Sequence, residues 1–130
     1  METMTDDLMR IKELKEKVRD FAAERDWSKY HHPKELAISM AIEVAELLEI
    51  FQWDEKADIQ DIRDDEETMS KIREEIADVM MYILCFSNQL DLDLSGAILA
   101  KLEKNRVKYD KNAVLKTGAY RKDKLSTTSG

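Results

Sequence analysis

Turn chemistry is scarce in this chain, whose 130 residues include three glycines and one proline. Folds built from many short strands need turn residues roughly every 8–12 positions, so that shortage excludes a β-sandwich or barrel and leaves an all-α fold. A single cysteine, Cys85, rules out an intramolecular disulfide. It stands in an apolar run, reads as a buried structural thiol and suits a reducing cytoplasm. No apolar stretch approaches the roughly 18–20 residues needed to span a bilayer, and no charged-then-apolar segment opens the chain. The expectation is a cytoplasmic protein without membrane contact. Positive charge is also in deficit, with 21 Lys and Arg against 28 Asp and Glu for a net charge of −7. Binding to a nucleic-acid backbone needs a basic patch, so that class of partner is excluded.

What remains is a pattern of amphipathic helices. Hydrophobic residues make up 43% of the chain and charged residues 38%, enough for one cored domain with solvated helix faces. Leu8, Ile11, Leu14, Val18 and Phe21 recur every three or four residues and predict a first helix from about Asp6 to Arg25. The segment from Asp26 to His32 breaks that period. Pro33 then suits the first turn of a second helix, which runs to about Gln52 with Leu36, Met40, Val44, Leu47, Leu48 and Phe51 as its stripe. The acidic stretch from Asp54 to Glu67 reads as a loop with a helical turn near Ile59 and Ile62. A third long helix is expected from about Glu67 to Leu90, with Ile72, Ile76, Val79, Ile83, Phe86 and Leu90 on one face. Asp93 or Ser95 can cap a fourth, running to about Tyr109. The reading is a four-helix bundle-like domain over residues 1–110 and a polar, partly mobile tail over 111–130. Between Val79 and Phe86 the third helix is apolar nearly all round, which points to an obligate homo-oligomer.

Two pairs of carboxylates interrupt these apolar stripes. Glu43 and Glu46 on the second helix, and Glu75 and Asp78 on the third, are each spaced i, i+3 and so share a face. Ionised carboxylates are rarely buried unless paired or bound to metal. Two facing pairs would gather about four negative charges, which a hard divalent cation relieves. A di-iron carboxylate site needs Glu-x-x-His motifs, and the only histidines, His31 and His32, precede the second helix. Oxygen-only ligands favour Mg²⁺, with Mn²⁺ second. The pattern alone leaves a metal site and a solvated acidic face as alternatives. Trp27 and Trp53, just past helix ends, and Tyr82 on the third helix suit a pocket rim or the core equally well. His31 suits a cap or a surface site. Lys101, Asn105, Lys108 and Tyr109 share one face of the fourth helix, either as a wet face or as a clamp for a polyphosphate whose charge metal ions offset.

Four ordered blocks over Phe21 to Tyr109 carry a resemblance. Phe21-Ala22-Ala23-Glu24-Arg25-Asp26-Trp27 with Tyr30-His31-x-Pro33 opens it. Glu43-Val44-x-Glu46-Leu47-x-Glu49-x-Phe51-Gln52-Trp53 and Glu74-Glu75-x-x-Asp78-Val79-x-x-Tyr82 follow, and Lys101-x-x-x-Asn105-x-x-x-Tyr109 closes it. Together they resemble the MazG-like all-α nucleoside triphosphate pyrophosphohydrolases, and most of all the small dCTP pyrophosphatase branch. The resemblance implies cleavage of an NTP or dNTP between its α- and β-phosphates. It implies Mg²⁺ held by Glu43, Glu46, Glu75 and Asp78, with Glu49 in the same cluster; on chemical grounds a carboxylate not saturated by metal, Glu46 or Glu49, can act as general base. Lys101, Asn105 and Tyr109 would meet the phosphates and sugar, and Trp27, His31, Trp53 and Tyr82 the base and sugar. It allows a dimer or a tetramer, and the apolar third helix favours the tetramer.

The chain departs from that pattern at Asp110, where the family usually has Pro, at Glu35, where Asn is common, and at Val18, a position that can carry a pocket His. These changes bear on base preference. A related helical hydrolase of dUTP/dUDP or phosphoribosyl-ATP, and a non-catalytic metal- or nucleotide-binding module, remain the alternatives.

Overall fold

The computed structural model describes residues 3–53 and 58–118, which form six α-helices and one 3-10 turn, with no strand among them. The first helix, α1, spans Ile11–Glu24. It begins later than the apolar period predicts because the chain first turns on the Thr5 carbonyl, which accepts from both Leu8 N and Met9 N at 3.0 Å. The Glu13 carboxylate then accepts from Arg10 N at 2.7 Å and fixes the start. Leu8 is left outside the helix and exposed.

At its other end α1 closes through Asp26, which takes φ 54°. Trp27 N donates back to Ala22 O at 2.9 Å and Asp26 N to Ala23 O at 3.0 Å, the closure that usually employs glycine. An aspartate in this left-handed conformation costs about 1 kcal/mol. The same device recurs at Asp91, φ 50°, where Leu92 N donates to Ser87 O at 2.9 Å.

A 3-10 turn over Ser28–Tyr30 leads into α2, Pro33–Phe51, whose first turn is capped by His32 Nδ1 accepting from Lys34 N at 3.3 Å. The expected helical turn is α3, Ile59–Asp64, capped by Asp58; residues 54–57 of that acidic stretch lie outside the described residues. The next helix, α4, spans Glu66–Gln89, within a residue of expectation at each end. Its Asp65 cap accepts from the Thr68 hydroxyl at 2.8 Å.

Two compact units divide the chain after Leu92. In the first, α4 packs most extensively against α2 and then against α1, with α3 touching α4 as well. Ala22 from α1, Leu36 from α2 and Leu84 from α4 are its buried apolar residues. Ser87 is buried too, and its hydroxyl is satisfied by donating to Ile83 O at 2.8 Å. Asn88 ties α4 to α1, donating to Lys15 O at 2.9 Å and accepting from Arg19 Nη2 at 3.1 Å. Gln89 Nε2 donates to Ser28 O at 2.9 Å and anchors the 3-10 turn.

Burial departs from the expected stripes in ways that this packing explains. Leu84 is buried, and Val79, Ile83 and Cys85 are half-buried. The all-round apolar character of α4 is therefore met partly within the chain, because α1 and α2 pack on different sides of it. Phe21, Val44 and Leu48 are exposed, as are Ile76 and Leu90. On α2, Ile38, Ile42 and Leu48 are 46%, 53% and 68% exposed and share one side of the helix with Ala41 and Ala45.

The second unit holds α5, Leu94–Lys108, and α6, Lys111–Thr117. Asp93, rather than Ser95, caps α5 by accepting from Gly96 N at 3.2 Å. Residues 111–117 are helical although they read as tail: Asp110 caps α6 by accepting from Ala113 N at 3.1 Å, and Gly118 closes it at φ 69°. The chain end over 119–130 lies outside the described residues. Among the described residues no helix is long and apolar enough to cross a membrane.

Candidate functional site

The contact between α2 and α4 brings three of the four paired carboxylates together. One oxygen each from Glu43, Glu75 and Asp78 lies within 4.8 Å of the others, and all three residues are half-buried. Such separations suit a hard cation standing about 2.0–2.6 Å from each oxygen. Among the described residues, Glu43 Oε2 and Glu75 Oε2 are fully buried and have no hydrogen-bond partner, an arrangement that costs stability unless something else satisfies them.

The energetics of this cluster show in the acidities. Burial pushes the Glu43 carboxyl up to about 7, and hydrogen-bond contact with Glu46 and the charges of Glu46 and Asp78 push the same way. Glu75 is raised by burial first and by Glu46 next. Glu46 itself is exposed, yet it reaches both Glu43 and Glu75. Glu49 is exposed and stands outside the three-carboxylate group. On a helix of 3.6 residues per turn two i, i+3 steps drift by about 120°, which carries Glu49 off the face of Glu43. The donor set is oxygen only, and its orphaned buried atoms are what a divalent cation would satisfy. The residues present therefore fit such an ion.

The carboxylates open onto a cavity of about 490 Å³. Glu43 and Asp78 form its acidic part, and Val18, Phe21, Trp27, Met81 and Tyr82 supply apolar and aromatic wall. His31, Cys85, Ala22 and Lys17 complete the lining. Phe21 and Trp27 meet edge to face with centroids 5.7 Å apart, and the Arg25 guanidinium lies 3.7 Å from the Phe21 centroid. The left-handed turn at Asp26 sets this pair, since it returns the chain from α1 directly into Trp27.

Of the residues singled out for base and sugar, the structure gathers Trp27, His31 and Tyr82 around this cavity. Trp53 is 85% exposed beyond the end of α2 and does not line it. Lys101, Asn105, Lys108 and Tyr109 belong to the second unit, where Asn105 and Tyr109 are half-buried and Lys108 Nζ stands 5.8 Å from the Tyr109 ring centroid. The sequence reading missed Lys17 and Met81 as cavity residues. It also read Cys85 as core, where burial does raise its thiol pKa. The available signal was the α1 stripe Lys17, Val18, Phe21 and Ala22, which shares one side of the helix.

Known proteins are similar to this chain. Rat (Rattus norvegicus) dCTP pyrophosphatase 1 is 34% identical over 90 residues, covering 69% of this chain and 53% of that protein. The bovine (Bos taurus) protein of the same name is 37% identical over 92 residues with the same coverage. The chain thus spans about half the length of the curated relatives it matches. A crystal structure of a pyrophosphatase from Archaeoglobus fulgidus superposes with a TM-score of 0.72 at 40% identity, covering 84% of this chain and all of that one. The sequence profile of the MazG-like family matches residues 38–121, a span that holds all four paired carboxylates. The chain belongs to the MazG-like family.

Proposed function

We propose that the protein hydrolyses nucleoside triphosphates, dCTP-like deoxynucleotides first among them, to a monophosphate and pyrophosphate with Mg²⁺, clearing surplus or damaged nucleotides from the pool. The observation that carries this reading is a half-buried carboxylate cluster with two orphaned oxygens, opening directly onto an aromatic cavity. The names of the relatives and of the solved neighbour support the bond cleaved.

Glu43, Glu46, Glu75 and Asp78 would hold Mg²⁺, or Mn²⁺ in its place. When bound, the ion supplies charge neutralisation for the phosphates and polarises the scissile phosphorus. Trp27 and Phe21 offer a face for the base, and Tyr82 and His31 offer polar groups beside it. The apolar wall excludes water from that end of the cavity, so the substrate is oriented with its phosphates at the carboxylates. A water oxygen bonds to phosphorus, the bond to the α–β bridging oxygen breaks, and its electron pair leaves with pyrophosphate. Glu46 takes the water's proton on a carboxylate oxygen. Its exposure and its reach to Glu43 and Glu75 favour it over Glu49 for that role. Trp53, Lys101, Asn105 and Tyr109 enter as sugar, base and phosphate contacts on the sequence resemblance alone; Lys108 joins them from the polar face read in the sequence, and a catalytic domain over residues 1–110 from the helical pattern.

The exposed apolar side of α2 around Ile38, Ile42 and Leu48 supports a homo-oligomer, a tetramer before a dimer, with α2 covered by another copy. The half-buried thiol of Cys85 suits a cytoplasmic setting. A panel of NTPs, dNTPs and phosphoribosyl-ATP incubated with Mg²⁺, with products separated by chromatography, tests the activity. Monophosphate plus pyrophosphate is expected; orthophosphate release, or binding without any product, would reject it.

A further inference from the structure

Two aromatic residues of the cavity wall are not held by the core. Phe21 and Trp27 line the cavity, yet both are exposed. A wall that has to be ordered afresh for each ligand loses affinity to the entropy of ordering it. The side chain that meets both rings is Arg25, whose guanidinium lies 3.7 Å from the Phe21 centroid and 6.0 Å from that of Trp27.

The way α1 ends puts Arg25 there. Phe21 and Arg25 are spaced i, i+4 and share a face. In a regular helix Arg25 N would donate to Phe21 O, but here it turns to Ala22 O at 3.3 Å. The Arg25 side chain takes the freed carbonyl instead, with Nη1 donating to Phe21 O at 3.0 Å. The guanidinium is thus tied to the backbone of residue 21 and stacked on the ring of the same residue. Its ion pair with Glu24, at 3.5 Å, is exposed and contributes little.

Beyond the turn the backbone is fixed as well. Asp26 accepts from Lys29 Nζ at 2.6 Å. Trp27 N donates to Ala22 O, and Trp27 O accepts from Tyr30 N at 2.8 Å. These bonds set where the indole leaves the chain, and they leave the orientation of the rings to side-chain contacts. A cation prefers a ring face and an aromatic pair prefers edge to face. Arg25, Phe21 and Trp27 satisfy both preferences in one arrangement.

We infer that Arg25 is a positioning residue for the substrate's base. It is not part of the cavity lining, so it acts through Phe21 and keeps Phe21 and Trp27 as a preformed wall for a flat aromatic ring. This rests on the assignment of the cavity to the base of a nucleoside triphosphate.

The test compares kcat/KM for dCTP and for a deoxyribose triphosphate without a base, with Mg²⁺, in the wild-type protein, Arg25→Ala, Arg25→Lys and Glu24→Gln. The readout is the ratio between the two substrates. A role confined to closing α1 would lower Tm and move both substrates together. The wild-type protein should prefer dCTP, and Arg25→Ala should lower that preference by about fivefold or more, through KM rather than kcat, as expected for weakening a base–aromatic stack. Arg25→Lys, which keeps the charge but not the plane, should recover part of it. Glu24→Gln should leave it unchanged. A second readout needs no substrate. With Trp53→Phe as background, the neutral quencher acrylamide should reach Trp27 more readily once Arg25 is replaced by alanine. An unmoved ratio or unmoved quenching in Arg25→Ala overturns the positioning role and leaves the pyrophosphohydrolase reading intact. No turnover by the wild-type protein overturns both.

Discussion

Glu66 and Glu75 stand nine residues apart on α4, and their surroundings push them in opposite directions. Glu66 is exposed at the first turn, pairs with Arg73 at 2.7 Å, and has its carboxyl held below the ordinary range by that guanidinium. Glu75 is half-buried against α2, faces other carboxylates, and has its carboxyl pushed up by burial and by Glu46. One region of the helix settles its charge with a neighbouring cation. The other gathers like charge and leaves two oxygens buried without partners. Surface pairing is ordinary helix chemistry, while a concentration of unrelieved like charge is what metal and catalytic centres use.

The strongest way to break the comparison is to remove the acidic end. Asp78→Asn and Glu43→Gln should each lower Mg²⁺-dependent pyrophosphate release by more than about a hundredfold, with helical circular dichroism unchanged. Near-wild-type release by either variant removes the metal assignment. A second effect concerns the cation itself. If the cluster binds Mg²⁺, a saturating concentration of about 100 times Kd should stabilise the fold by about 2.7 kcal/mol, seen as a rise in Tm that chelation reverses. Asp78→Asn should lose most of that rise.

The third effect is one of pH, in protein stripped of metal. A carboxyl with a higher pKa folded than unfolded takes up a proton on folding between the two values. For Glu43 those values are 4.5 and about 7. Its contribution is therefore fully present below pH 4.5 and is lost as the pH rises through about 7. The metal-free Tm should fall over that interval, and Glu43→Gln should flatten the fall. A rise in the wild-type protein over the same window contradicts the burial argument. The smallest effect belongs to the other end of the helix: Glu66→Gln should leave both Tm and turnover nearly unchanged, as for any exposed pair.

The long helices were legible because their signals are local. The apolar period, Pro33 at a first turn and Asp93 as a cap each act within a few residues of their own position. The start of α1 was not legible, because the Thr5 turn and the Glu13–Arg10 hydrogen bond compete with an apolar period that continues through them. Helix α6 was missed for the opposite reason: its apolar content is low, and the signal lay in Asp110 and Gly118 at its ends. At the site, residue type and i, i+3 spacing named Glu43, Glu75 and Asp78. Glu49 entered through the resemblance, and in the structure it is exposed and outside the three-carboxylate group. Lys17 shares the α1 stripe of Val18 and Phe21, but the part played by Met81 and Cys85 required knowing which side of α4 meets α1, a tertiary fact that no local pattern contains.

The turn at Asp26 also has an optical consequence. It places Trp27 beside Phe21 on the cavity wall at 45% exposure, while Trp53 stands 85% exposed and apart from that wall. These are the chain's two indoles. A soluble collisional quencher such as iodide should extinguish Trp53 emission first and leave Trp27 emission to rise or fall as the cavity fills. The protein thus carries its own occupancy gauge, one fluorophore reporting the cavity and the other the solvent.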